Sequence, residues 1–323
     1  MSYDKNSTAA QVIAGHDLTG TDAVVTGGAR GLGAETARVL AAAGARVVLA
    51  GRDQARGEAA AAQMRAGTGN RGVEFRGLDL GSLASVREFA AGYLSAARPL
   101  HLLVNNAGVM ATPLTRTADG FESQFGINHL GHFALATGLL PALASAGGAR
   151  VVVLSSRAHR RSDVDFDDPN YRRRPYDPWQ AYGQSKTATA LFAVGLTARY
   201  PGDGITANAG MPGAIMTDLQ RHIPAPELRS MGWADDRGVR TDLPGWKTVA
   251  QGAATTVWAA VAPELDGVGG CYLDDCAIAR PWTVDEVPPT GCYLPYLLDP
   301  GRADLLWALS ERLTVPATSR QRP

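Results

Sequence analysis

The chain has 323 residues, 45% of them hydrophobic, with 31 basic and 31 acidic side chains giving a formal net charge of zero. That content supports a sizeable core, and the balanced charge excludes a global pull toward nucleic acid or an anionic membrane. The three cysteines, Cys271, Cys276 and Cys292, fit no metal-ligand spacing, and their odd number speaks against a disulfide framework, so reduced thiols and no metal site are expected.

Residues 1–17 read as a polar tail without the apolar core of a signal peptide, and no run approaches the ~18 apolar residues of a membrane span. A cytoplasmic setting with no membrane partner is the expectation. From residue 18 onward, short apolar runs alternate with helical patterns. Strands are predicted at 23–26, 46–50, 73–77, 100–105, 151–155 and 205–209, with helices at 32–43, 53–66 and 83–96 between the first four. This alternation predicts βαβ units and a single-domain, doubly wound α/β fold of Rossmann type, its parallel sheet covered by helices on both faces. Gly44 and Gly67 sit where helix ends favour left-handed residues.

Two stretches interrupt the rhythm. Residues 157–181 alternate arginines with aspartates and read as a solvated insertion loop, the interleaved charges cancelling any basic patch. Residues 216–247 set Leu219, Ile223, Met231, Trp233 and Trp246 among charges, prolines and glycines, the pattern of a substrate lid with an apolar underside. Residues 280–323 form a C-terminal extension ending in a helix predicted at 303–313.

The first strand runs into Thr26-Gly-Gly-Ala-Arg-Gly-Leu-Gly33. Gly27, Gly31 and Gly33 allow a sharp turn and a close backbone approach to phosphate, with the positive end of the next helix behind it. The strand-turn-helix context is what gives this glycine pattern weight. At the end of the second strand, where NAD binders usually place an acid, Arg52 stands, and with Arg30 it offers guanidinium groups to a 2′-phosphate. Asp53 follows and keeps an NAD alternative open. Asp79 after the third strand can accept from an adenine amino group or serve as a helix N-terminal charge. Asn105-Asn106-Ala107-Gly108 closes the fourth strand where open α/β sheets bind ligands.

Tyr182 and Lys186 are four apart, hence on one helix face. A nearby ammonium favours the phenolate and is expected to lower the tyrosine from its usual pKa near 10. The chain has only three lysines, which makes Lys186 more telling. One hydroxyl of Ser155-Ser156, at the end of the fifth strand, can face the same crevice and hold a carbonyl. Asn128 sits in a helical stretch where asparagine is disfavoured, suggesting a buried amide role. His129 and His132 read as packing or surface residues.

Together the glycine turn, Asn105–Gly108, Asn128, Ser156, Tyr182 with Lys186, and Pro212-Gly213 with Thr217 resemble the short-chain dehydrogenase/reductase family over about residues 18–275. The phrases Leu49-Ala-Gly-Arg-Asp53, Asn128-His-Leu-Gly-His-Phe133 and Ser155-Ser-Arg-Ala-His159 are similar to its retinol dehydrogenase and protochlorophyllide reductase-like branch, which carries an insertion between serine and tyrosine. The resemblance implies a catalytic set of Asn128, Ser156, Tyr182 and Lys186: tyrosine as acid/base, lysine tuning it and holding the nicotinamide ribose, serine positioning the carbonyl, asparagine anchoring a water of the proton relay. It implies NADP(H) rather than NAD as cofactor, held by Gly27, Arg30, Gly31, Leu32, Gly33, Arg52, Asp79, Leu80, Asn106, Ala107, Gly108, Tyr182, Lys186, Pro212, Gly213, Ile215 and Thr217. The implied reaction is hydride transfer between nicotinamide and a carbonyl/alcohol of a small, apolar substrate. NADPH-dependent C=C reduction, or an NADP-binding sensor without turnover, are the alternatives. Membrane-bound relatives carry an N-terminal anchor that this sequence does not show, and Met211 stands where histidine often precedes Pro-Gly, so the substrate stays open. No nucleic-acid partner is expected, and a homodimer is expected through the helices near 131–143 and 182–200.

Overall fold

Apolar runs that do not alternate make strands buried on both faces, and such strands pair in parallel under two layers of helix. The computed structural model describes residues 3–238, 243–284 and 286–315. Residues 1–2 of the predicted tail, 239–242 of the predicted lid, and 285 and 316–323 of the predicted extension lie outside the described residues.

The first half follows the predicted alternation: α1 (Ala9–Ile13), β1 (Asp22–Thr26), α2 (Gly31–Ala42), β2 (Arg46–Gly51), α3 (Gln54–Thr68), β3 (Val73–Gly77), α4 (Leu83–Leu94) and β4 (Leu102–Asn105). A broken helix follows, α5 (Ser123–Phe125), a π-helical turn Gly126–Leu130 and α6 (Gly131–Gly138), then α7 (Leu140–Ala144) and β5 (Arg150–Leu154). The second half contains α8 (Pro178–Arg199), β6 (Thr206–Met211), α9 (Ala225–Ser230), α10 (Val249–Gly252), α11 (Ala254–Val261), β7 (Tyr272–Asp274), β8 (Ala277–Ile278), β9 (Arg280–Pro281), β10 (Cys292–Tyr293) and α12 (Pro300–Thr314). The main sheet has the order β3-β2-β1-β4-β5-β6-β7-β8; all pairings are parallel except β7 with β8.

Successive strand residues feed opposite layers. Val24 and Val48 pack with Phe89, Tyr93, Phe133 and Phe192 on one face. Val25, Val47 and Leu49 pack with Val39, Met64 and Trp258 on the other. The chain runs outward from β1 to β3 and then crosses to β4 on the other side of β1. That reversal opens a crevice above the C-terminal ends of β1 and β4.

Several expectations change. The polar tail is not free, because Ala9, Val12 and Ile13 of α1 are buried in the α11 layer, under a capping box formed by Thr8 and Gln11. Gly44 is left-handed as expected (φ 99°), but the cap of α3 is Gly69 (φ 71°), two residues beyond Gly67. Residues 157–181 are not a solvated excursion: Val164, Asp168, Asn170 and Tyr171 are buried. The Asp168 carboxylate accepts backbone N–H groups of Arg172, Arg173 and Arg174, so the arginine run wraps an internal anchor. Within one chain, much of the helix surface named for a homodimer is buried. Every residue of α8 from Ala181 to Ala193 is buried, and α12 lies on that helix. Trp307 stacks on Phe192 with centroids 6.1 Å apart and meets Phe133 edge-on at 4.9 Å.

Candidate active site

The glycine turn is dictated by space. Gly27 and Gly31 have φ of 65° and 54°, and a Cβ on Gly33 would lie 2.4 Å from both the Gly27 carbonyl oxygen and Asn106 Nδ2. The next helix, α2, opens at Gly31 with no side chain capping it from Arg30. Its first-turn N–H groups therefore suit an anion. Thr217, at the start of the lid, brings Cγ2 to 4.0 Å of where a Gly31 Cβ would stand. Ile215 is buried and, with Leu32, presses on Gly252, so the residues after Pro212-Gly213 close the far side of the turn. These cradles fit a dinucleotide with its pyrophosphate over α2.

At the C-terminal ends of β2 and β3, Arg52, Gly77, Leu78, Asp79 and Ser85 line an open cavity of about 590 Å³. Asp79 also accepts the Gly81 N–H at 2.9 Å. Leu80 turns into the core, so its side chain does not reach this cavity. Asp53 is spent as the N-cap of α3, accepting Arg56 N–H at 3.0 Å. Arg30 pairs with Asp218 of the lid at 3.1 Å. The same lid turn carries Arg221, whose guanidinium is held below its usual range by burial and then by the like charges of Arg30 and Arg52. Sequence reading missed Arg221, because nothing in its local pattern separates it from a solvated arginine.

On the other side, Asn106 donates its backbone N–H to Thr26 Oγ1 (2.9 Å) and Nδ2–H to the Thr26 carbonyl (2.8 Å), and Ala107 N–H also reaches Thr26 Oγ1 (3.0 Å). Asn105 is buried at the end of β4 with neither side-chain atom hydrogen-bonded among the described residues. Gly108 leaves room for Asn128, whose Oδ1 would stand 3.1 Å from an added Cβ, with Lys186 Nζ at 3.9 Å.

Asn128 lies within the π-helical turn, a rare distortion often found at functional sites. Its Oδ1 accepts Val109 N–H, and its Nδ2 donates to the Val109 carbonyl and to Ser185 Oγ, all at 2.9 Å. The two serines separate cleanly. Ser155 Oγ donates to the Lys186 carbonyl (2.8 Å) and fastens β5 to α8. The Ser156 hydroxyl caps the turn at 157–161, accepting the Ala158 N–H at 3.1 Å, and is near enough to the Tyr182 phenol to lower its pKa.

Tyr182 is 4% exposed and Lys186 6%. Lys186 Nζ donates to the Leu154 carbonyl at 2.8 Å and lies 5.7 Å from the Tyr182 ring centroid. Burial pushes the phenol up to about 12, the Ser156 hydroxyl pulling it partly back, and pushes the ammonium down to about 8. The expected lowering of the phenol is therefore reversed, because desolvation is the larger effect. Met110, Ala111 and Ile223 pack with Tyr182, flanked by Leu219, Leu228, Trp179 and Trp233. Trp179 meets Trp233 edge-on at 6.2 Å and bonds Glu227 of α9 at 2.6 Å. Among the described residues of 216–247, Leu219, Ile223, Leu228 and Trp233 turn apolar side chains toward Tyr182. Among the described residues there is no cluster of metal-binding side chains and no helix long and apolar enough to cross a membrane.

Residues 21–228 match the family model described as short chain dehydrogenase. The chain is 51% identical to a Streptomyces lividans protein described as a probable oxidoreductase, over 90% of this chain and 96% of that one. It is 46% identical to mouse polyprenol dehydrogenase (81% and 78% covered) and 43% identical to human retinol dehydrogenase 12 (82% and 80% covered). Among solved structures, an uncharacterized Mycobacterium paratuberculosis protein is similar with TM-score 0.71 and 36% identity, covering 96% of this chain and 97% of its own. A Burkholderia cenocepacia short chain dehydrogenase in complex with NADP has TM-score 0.61 and 26% identity, with 80% and 97% covered.

Proposed function

The chain belongs to the short-chain dehydrogenase/reductase family, in its retinol dehydrogenase-like branch, and is an NAD(P)-dependent dehydrogenase/reductase; from that premise we propose that it interconverts a carbonyl and an alcohol on a small apolar substrate, using NADP(H), with Tyr182 as acid/base. The observation that carries this reading is the buried Tyr182 with Lys186 Nζ 5.7 Å from its ring centroid, walled by Met110, Ala111 and Ile223.

When bound, the dinucleotide supplies or takes the hydride. The chain's own residues do the rest. Ser156 and Tyr182 offer two hydroxyls to one carbonyl oxygen, which orients it and polarises it toward the developing alkoxide. Tyr182 gives that oxygen its proton. Lys186, tethered to the Leu154 carbonyl, holds positive charge beside the phenol. The lid residues Leu219, Ile223 and Trp233 exclude water and favour an apolar substrate body. The names of the mouse and human relatives, polyprenol and retinol dehydrogenases, support an apolar alcohol or carbonyl.

Preference for NADP(H) is supported by Arg52 lining the cavity after β2, with Arg30 and Arg221 near enough for their charges to interact, while Asp53, the acid that keeps NAD open, caps α3. The test follows NADPH oxidation optically with apolar aldehydes and ketones, wild type beside Tyr182→Phe. Turnover that vanishes in the variant while NADPH affinity persists is expected. Undiminished turnover in Tyr182→Phe refutes the assignment.

A further inference from the structure

We propose that His132 is a positioning residue that ties the cofactor turn to the catalytic helices: its Nδ1–H imidazole holds the Asn128 carbonyl and the Thr26 hydroxyl in one directed hydrogen-bond chain. This inference rests on the reading of Tyr182 and Asn128 given above.

The direction of the chain follows from what each atom can do. His132 is 2% exposed, and its Nδ1 stands 2.9 Å from the backbone carbonyl of Asn128. A carbonyl only accepts, so Nδ1 carries the hydrogen. Burial, with the Lys186 charge nearby, keeps the ring uncharged, its pKa lowered to about 4. Nε2 is therefore bare, and it lies 2.9 Å from Thr26 Oγ1. The Thr26 hydroxyl must then donate to Nε2 rather than to the Val104 carbonyl, which is farther at 3.4 Å. With its hydrogen used, Thr26 Oγ1 turns its lone pairs to the N–H groups of Asn106 and Ala107.

At the other end, Asn128 Nδ2 donates to Ser185 Oγ, and Ser185 Oγ donates to the Tyr182 carbonyl at 2.8 Å. One sequence of bonds thus runs from the strand end that launches the glycine turn, through His132, to the backbone of the acid/base tyrosine. His132 is the side chain that links Thr26 to Asn128. A phenylalanine or leucine of similar size would fill the space, yet it would leave the Thr26 hydroxyl without its short acceptor and Asn128 without its imidazole donor.

The experiment uses two variants that each preserve one end. His132→Asn can place its Nδ2 where Nδ1 stands, keeping the bond to Asn128 and losing Thr26. His132→Gln can place Oε1 where Nε2 stands, keeping Thr26 and losing the donation to Asn128. NADPH affinity is read by fluorescence titration, and kcat and KM with nonanal as substrate. The Asn variant should weaken NADPH about tenfold with kcat within about twofold of wild type, and the Gln variant the reverse, each consistent with loss of one buried hydrogen bond. Lowered thermal stability with wild-type affinity and kcat in both variants, or equal losses of both quantities in both, overturns the proposal. Nitrogen-15 NMR of wild-type histidines supplies a second readout that needs neither variant folding nor turnover. It should show an Nδ1–H tautomer for His132 from about pH 6 to 8; an Nε2–H tautomer or an imidazolium there overturns the proposal. A wild type that binds NADPH and shows this tautomer yet turns over no carbonyl counts against the proposed reaction, not against the chain.

Discussion

Lowering the pH from 7 to 5 should destabilise the protein through three histidines. His129, His132 and His159 are buried, and burial lowers their pKa values to about 3, about 4 and about 4. Unfolded, each titrates near 6.5. The folded values are depressed, so the stability these groups allow is present above the unfolded pKa and is lost as pH falls toward the folded one. Between pH 7 and 5 the unfolded chain takes up about 0.7 proton per histidine and the native chain almost none. Linkage makes that about 1.8 kcal/mol for each, or roughly 5 kcal/mol together, against a typical total of about 5–15. Glu122 and Asp274, whose carboxyls burial pushes up, work the other way and trim the sum. For a chain of this size, Tm should fall by roughly 10 °C. The assay is thermal unfolding by tryptophan fluorescence and circular dichroism at half-unit steps of pH. A Tm unchanged between pH 7 and 5 refutes the reasoning, because it requires these imidazoles to titrate near 6.5 in the native state.

Arg52→Ala and Arg221→Ala should each weaken NADPH about tenfold in calorimetry, with NADH within about twofold, because a partly exposed charge-assisted bond contributes at the low end of its range; equal weakening of both dinucleotides would remove the 2′-phosphate from the account. Gly33→Ala should abolish measurable NADPH binding, since its Cβ would stand 2.4 Å from the Gly27 carbonyl and the turn must shift; retained affinity would mean another path for the pyrophosphate. Trp307→Ala should cost about 3–5 kcal/mol in urea unfolding, by stripping the ring stacked on Phe192. A loss under about 1 kcal/mol would show that α12 does not seal α8.

Much of this molecule was legible because its signals are local and periodic. β1 to β6 and the first helices announce themselves in apolar runs, and the glycine turn in sterically forced residues. β7 escaped because three residues, Tyr272-Leu-Asp274, carry no period. The core role of Leu80 and the burial of Asp168 were illegible for another reason. Each is set by a partner distant in sequence, as Gly131 against the Leu80 carbonyl illustrates. The residues alone left Ser155 and Ser156 undivided, and only the family resemblance singled out Ser156, because nothing local shows that the Ser155 hydroxyl faces the Lys186 carbonyl. His132 reads as a packing or surface residue in sequence, and the structure buries it. What sequence withholds is the pair of polar atoms, Thr26 Oγ1 and the Asn128 carbonyl, placed at its two nitrogens.

The reversed shift at Tyr182 has a kinetic consequence. Placing an ammonium four residues from a phenol implies a charged pair, but burial moves both groups toward their uncharged forms, the phenol to about 12 and the amine to about 8. A phenol that stays protonated at neutral pH is already the acid that carbonyl reduction needs, and transfer to a developing alkoxide, the stronger base, runs downhill. Alcohol oxidation needs the phenolate, which becomes about tenfold more abundant for each unit of rising pH below the phenol's pKa. As pH passes about 8, Lys186 loses its proton and with it the charge that favours the phenolate, so the gain should flatten there. The expected result is a kcat/KM for reduction that is flat from pH 6.5 to 7.5, beside one for oxidation of the matching alcohol that climbs close to tenfold per unit up to about 8. Oxidation that is flat across pH 6.5 to 9 would place the phenol below 7 in the working enzyme, and would mean that the ammonium, not burial, sets its state.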